Sequence, residues 1–185
     1  LRAVETSKKY PNIEAVLRKI KSKYEYEDET YSILIPGKIE DILAEGAALH
    51  HCIDKTDRYF DRINVQESYL MFLRRTAEKD KPYYTLEVEP NGTVRQKRTE
   101  FDRQNPDIED AKTFLRKWQK IISKRLSSED MKLASKSKKL RNEEFEELER
   151  TKAQIRNRAL QGHLLVMVLR EDLMENTDES EKVSV

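Results

Sequence analysis

The sequence predicts an α+β fold: a small antiparallel β-sheet packed with helices, plus a long charged C-terminal helical extension. Three observations lead to it. Strand-like alternation flanks a Pro-Asn-Gly turn at residues 90–92, which is a hairpin signal. Apolar residues recur with a period near 3.6 across residues 13–20 and again across 108–126. Beyond residue 130 the apolar positions thin out, and residues 131–160 hold nine Lys and Arg against five Glu.

Each element follows in order. Ile13, Val16, Leu17 and Ile20 make one face of a helix over residues 11–24, with Lys and Arg opposite. Pro11 sits near its start, where a missing N–H does no harm. Residues 31–37, YSILIPG, read as a short strand stopped by Pro36. Ile39, Ile42, Leu43, Ala47 and Leu49 then fall at helical spacing. Gly46 weakens that helix by roughly 1 kcal/mol relative to alanine, which points to a close approach to its backbone.

Residues 67–75 carry a nearly continuous apolar run, and residues 82–89 set Tyr84, Leu86 and Val88 against Tyr83, Thr85 and Glu87. Residues 93–98 return as the second hairpin arm. Ile108, Ala111, Phe114, Leu115, Trp118, Ile121, Ile122 and Leu126 form a helix expected to lie on the sheet. Residues 127–130 supply a link and a fresh N-cap. Phe145, Leu148, Ile155 and Ala159 follow a heptad-like seam interrupted at Lys152. Residues 162–169, GHLLVMVL, read as either a last strand or a packed helix. The expected organisation is an N-terminal helical segment (1–30), an α+β core (31–126), a charged helical extension (127–170) and a flexible acidic tail (171–185).

Charged residues make up 38% and hydrophobic ones 37%, which fits a modest core with solvated helices rather than a disordered chain. The net charge of +1 names no partner. A single cysteine, Cys52, excludes an intrachain disulfide framework and fits a reducing, cytoplasmic compartment. No apolar run nears the ~18 residues of a membrane span, so membrane insertion is not expected. The chain opens on Leu1 rather than Met, and its first segment is read as the end of a longer upstream region.

His50, His51 and Cys52 stand together at the end of the second helix. Sequence neighbours seldom give a nucleophile and its base the required geometry, and His163 is remote in sequence. Zinc would need four nitrogen or sulfur ligands at a familiar spacing. Glu45, Asp54 and Glu87 are unpatterned as metal ligands, and the four glycines are scattered, so no metal and no cofactor are expected. A buried apolar cysteine and a helix-end histidine favoured by the dipole remain the plain alternatives.

The hairpin adds candidates. Thr85 and Glu87 share one face of its first arm, and Gln96 and Arg98 share one face of its second. Pairing across Asn91-Gly92 gathers all four, with Glu87 and Arg98 as charge partners and Gln96 as a bridge. His51 and Cys52 join them if their helix packs here. A polar face that simply meets water is the other reading.

The ordered motifs YSILIP, EDILAEGAALHHCI, SYLMFLRR, KPYYTLEV and TVRQKRTEFDRQN resemble the PcfJ-like family, over about Tyr31 to Trp118. The family pattern lands on Glu45, Gly46, His51, Cys52, Tyr59, Arg74 or Arg75, Thr85, Glu87, Gln96, Arg98 and Asn105. This chain departs from it with Ile53 for a usual Val and Thr99 for a frequent Gly. The resemblance implies a plasmid, phage or other mobile-element setting and defines no reaction.

The favoured expectation is a mobile-element accessory protein acting in nucleic-acid handling or conjugative transfer. Arg95, Lys97, Arg98, Arg103, Lys136, Lys138, Lys139 and Arg141 would meet phosphates. One rival is an enzyme with a pocket of His51, Cys52, Glu87, Gln96 and Arg98, in which His51 or Glu87 handles protons, Arg98 binds an anionic group and Cys52 is the nucleophile. The other is a protein-interaction scaffold on the C-terminal helices.

Overall fold

The computed structural model describes residues 2–51, 56–156 and 159–178. At its centre is a five-stranded antiparallel meander in sequence order: β1 (Tyr26–Glu27), β2 (Tyr31–Leu34), β3 (Tyr69–Arg75), β4 (Tyr84–Val88) and β5 (Val94–Arg98). The helices are α1 (Arg2–Lys9), α2 (Ile13–Tyr24), α3 (Ile39–Ala48), α4 (Arg58–Asn64), α5 (Ile108–Ser123), α6 (Ser128–Thr151) and α7 (Leu165–Asp172). The α+β class read from the sequence is the class observed. β1 and α4 were not anticipated, and α1 falls within the expected N-terminal helical segment without having been read as a helix of its own. Two to eight residues hold too few repeats of a period to be read.

β3 is the middle strand and is buried over nearly its whole length, which is why its sequence is a continuous apolar run. One face of the sheet is apolar. It presents Ile33, Met71, Leu73, Tyr84, Leu86 and Val88 and meets α5, whose Phe114 ring lies 5.5 Å from that of Tyr31. Trp118 of α5 is fully buried, and its indole N–H donates to the Tyr24 carbonyl at 2.7 Å. The opposite face carries Arg74, Thr85, Glu87 and Gln96, and receives side chains from α3, α4 and α6.

The hairpin turns where the sequence placed it. Gly92 donates to the Glu89 carbonyl at 2.8 Å with Pro90 and Asn91 between them, the position proline favours in such a turn. Gly92 has φ +93°, which strains any other residue, and a Cβ there would lie 2.6 Å from Ile122 Cδ1, so the end of that α5 side chain would have to move. Glu87 pairs with Gln96 and Val88 with Val94, which leaves Arg95 as the extra residue of a bulge. That bulge sets Arg95 beside Glu89, to which it donates at 2.7 Å.

The C-terminal part is helical and charged but is tied to the sheet. A capping box of Ser127 and Asp130 starts α6. Its inner side buries Ala134, Ser137, Arg141 and Phe145, and the Ser137 hydroxyl donates to the Glu67 carbonyl at 2.6 Å. The expected seam through Ile155 and Ala159 does not form, because the helix ends at Thr151 with Lys152 left-handed at φ 54°. The chain then returns, and residues 165–172 settle as helix rather than strand. α7 runs beside β5, and Met174 bridges to Val94. Asp172, Met174 and Asn176 are therefore buried where a frayed tail was expected. Among the described residues, no helix is long and apolar enough to cross a membrane.

Candidate functional site

The end of α3 decides where His51 goes. His51 N–H donates to the Gly46 carbonyl at 2.8 Å, and His50 N–H to the Ala47 carbonyl at 3.3 Å. His50 between them is left-handed, with φ 53°. This is a Schellman ending, with histidine at the position usually held by glycine. The turn sends His50 outward and His51 in against the sheet, where His51 is only 4% exposed.

There the His51 ring is held at both nitrogens. Nδ1 lies 3.1 Å from Asp102 Oδ1, and Nε2 lies 3.1 Å from Thr85 Oγ1. An ionised carboxylate only accepts, so Nδ1 carries the hydrogen and a neutral ring takes the Thr85 hydroxyl hydrogen at Nε2. The result is a carboxylate–imidazole–hydroxyl relay. Asp102 reaches it from a strained loop, since Phe101 and Asp102 are both left-handed at φ 57° and φ 58°. Phe101 N–H donates to the Leu49 carbonyl at 2.8 Å, so the loop and the end of α3 clasp each other. Backbone strain of this kind gathers at functional sites.

Two residues along the same strand face, Glu87 is buried and fully engaged. It accepts from Ser68 Oγ at 2.5 Å, Arg62 Nη1 at 2.9 Å and Gln96 Nε2 at 3.3 Å. All three of these donors converge on one carboxylate, which ties β4 to α4, to the start of β3 and to β5. The Glu87 and Glu144 carboxylates outweigh burial and hold Arg62 above the usual guanidinium range. Half-buried Tyr59 lies beside this group. Burial, and then the Glu87 charge, push its phenol up to about 12.

Glu45 and Arg74 form a buried bidentate pair at 2.6 Å on each arm, which locks α3 to the central strand. Gly46 is buried in the next position. Asn105 offers its backbone instead: its N–H donates to Tyr84 Oη at 2.9 Å, and its carbonyl accepts from Ile108 at the start of α5. Cys52 and Asp54 lie outside the described residues, as does Ile53.

Several expectations change. Arg98 does not pair with Glu87. Its cross-strand neighbour is Thr85, and its guanidinium pairs with Asp172 of α7. Arg95, Lys97 and Arg141 are turned inward, so they do not offer their charges to phosphate. Arg95 is bound by Glu67 and Glu89, and Arg141 by Glu89. Lys97, 1% exposed, sits 3.0 Å from Asp172 Oδ1, and burial lowers its pKa despite that partner. Arg103, Lys136, Lys138 and Lys139 are exposed, with Lys138 3.7 Å from Glu175.

Sequence reasoning missed Asp102, Arg62, Ser68, Glu89 and Asp172. Asp102 stood inside the motif TEFDRQN, but nothing in its spacing signals a left-handed turn toward a histidine 51 residues earlier. Among the described residues, no group of three or more His, Cys, Asp or Glu is placed to hold a metal ion.

The family profile described as PcfJ-like protein matches residues 1–115. The match takes in α1 and α2, which lie outside the span of the resemblance read from motifs. Neither the curated proteins nor the solved structures include a match to this chain.

Proposed function

Because this chain belongs to the PcfJ-like protein family, we propose that it acts in nucleic-acid handling for a plasmid or phage, including conjugative transfer. The observation that carries this reading is the outer face of α6. Lys132, Lys136 and Lys139 follow one another at helical spacing and are exposed. None of the ion pairs among the described residues uses them, while Arg141 of the same helix is bound inside. Such a row supports counterion-releasing binding to a phosphate backbone. The test is binding of labelled single-stranded DNA, duplex DNA and RNA at low salt. Changing Lys136 and Lys139 to alanine is expected to lower the salt slope by about 1 for each phosphate no longer neutralised. Absence of binding to all three nucleic acids would remove the proposal.

A second reading, as an acid–base enzyme, is supported by the Asp102–His51–Thr85 relay. In it His51 Nε2 would accept the Thr85 hydroxyl proton as Thr85 Oγ1 attacks an ester or phosphodiester. The ester C–O or P–O bond breaks, and the departing alcohol takes the proton from the imidazolium that Asp102 stabilises. Water, deprotonated by His51, then frees Thr85. Turnover of such substrates that collapses in both His51→Gln and Asp102→Asn is the expected result. No turnover by the unaltered protein across pH 5–9 would dismiss it.

A further inference from the structure

We infer that His50, Phe101 and Arg103 form a stacking platform for an unpaired base of single-stranded nucleic acid, an assignment that rests on the nucleic-acid reading above. The rings of His50 and Phe101 are parallel to within 4°, with centroids 4.6 Å apart. The Arg103 guanidinium lies 5.5 Å from the Phe101 ring. His50 and Arg103 are exposed, and Phe101 is 39% exposed. A planar base joins such a stack through its π-face, and arginine stacks beside it and reaches a phosphate. None of the ion pairs among the described residues uses Arg103.

The backbone adds the second argument. His50 and Phe101 are both left-handed, a conformation that is unfavourable for side chains of this size and natural for glycine. Glycine would serve the Schellman turn at residue 50 and the loop at residue 101 better. The two left-handed turns bring the rings of His50 and Phe101 together at the surface. The platform adjoins the His51 relay, because Asp102 lies between Phe101 and Arg103 and bonds His51. Glu100 is exposed in the same loop, and Asp102 is directed to His51. The loop is therefore poorly suited to attracting a duplex backbone by charge. Stacking acts at short range and requires a base outside a duplex, so the platform selects single strands.

The experiment is an anisotropy titration of a labelled mixed-sequence single-stranded DNA, across a range of salt, with the unaltered protein, Phe101→Gly and the Lys136→Ala/Lys139→Ala pair. Phe101→Gly removes the ring and relieves the backbone, so it is expected to fold at least as stably. Its affinity is expected to fall roughly tenfold with an unchanged salt slope, whereas the lysine pair changes the slope. Binding by the unaltered protein that Phe101→Gly leaves intact would overturn the platform while the nucleic-acid reading stands. No binding of the single strand by the unaltered protein would overturn the platform, and absence of binding to duplex DNA and RNA as well would overturn both. A Phe101→Gly protein that unfolds would show the ring to be a packing element and overturn the strain argument; in that case Arg103→Gln, expected to weaken binding and lower the salt slope, carries the test.

Discussion

His51 and Asp102 meet at 3.1 Å across 51 residues of chain, joining the end of α3 to the loop that follows β5. Each reaches the other through a left-handed residue, His50 on one side and Asp102 itself on the other. The carboxylate determines the ring's tautomer. Nitrogen chemical shifts of His51 at neutral pH are therefore expected to show hydrogen on Nδ1, and Asp102→Asn is expected to lower stability by roughly 1 kcal/mol. A predominance of the Nε2–H form would contradict this hydrogen-bond assignment.

Glycine should be the better residue at two helix ends. His50 and Lys152 hold the left-handed position after α3 and α6. His50→Gly and Lys152→Gly are each expected to raise stability by about 1 kcal/mol. Urea midpoints decide the matter, and a loss in either variant would mean that the side chain there outweighs its backbone strain.

Breaking the Glu45–Arg74 pair should cost much more than removing it whole. Glu45→Ala leaves a buried guanidinium without its carboxylate, at an expected loss of roughly 3–5 kcal/mol. Replacing both residues with methionine is expected to be milder. Arg74→Lys cannot restore the two-armed bond and should remain well below the unaltered protein in denaturant titrations.

Asp172 links Lys97 and Arg98 to the start of the C-terminal segment. Asp172→Ala is expected to cost roughly 3 kcal/mol by leaving two cations without their carboxylate. Lys97→Met should be tolerated, because Arg98 and Gln104 still meet Asp172. Burial lowers the Lys97 pKa in the folded protein, so the unfolded chain binds more protons between that value and the ordinary lysine range. Stability contributed at Lys97 consequently rises with pH through that window and is lost as pH falls back through the folded pKa. Stability curves of the unaltered protein and Lys97→Met should converge toward alkaline pH. Parallel curves would refute the linkage.

The sequence by itself determined strands β2 to β5, the hairpin and the two amphipathic helices α2 and α5. These follow from local rules: alternation in residues 82–98, a 3.6-residue period in 108–126, and the turn chemistry of Pro90, Asn91 and Gly92. The same alternation gathered Thr85, Glu87, Gln96 and Arg98 on one face, and the register then set Thr85 opposite Arg98 and Glu87 opposite Gln96. Only the tertiary structure decided what those side chains bond to. Glu87 takes Arg62 from a helix too short to read, Arg98 turns to Asp172 from a segment expected to fray, and His51 meets Asp102 through two left-handed turns. Periodicity reports which face a residue occupies, because that depends on backbone geometry nearby. Which charge meets which across that face depends on how distant segments pack and on the cost of burying a charge without a partner.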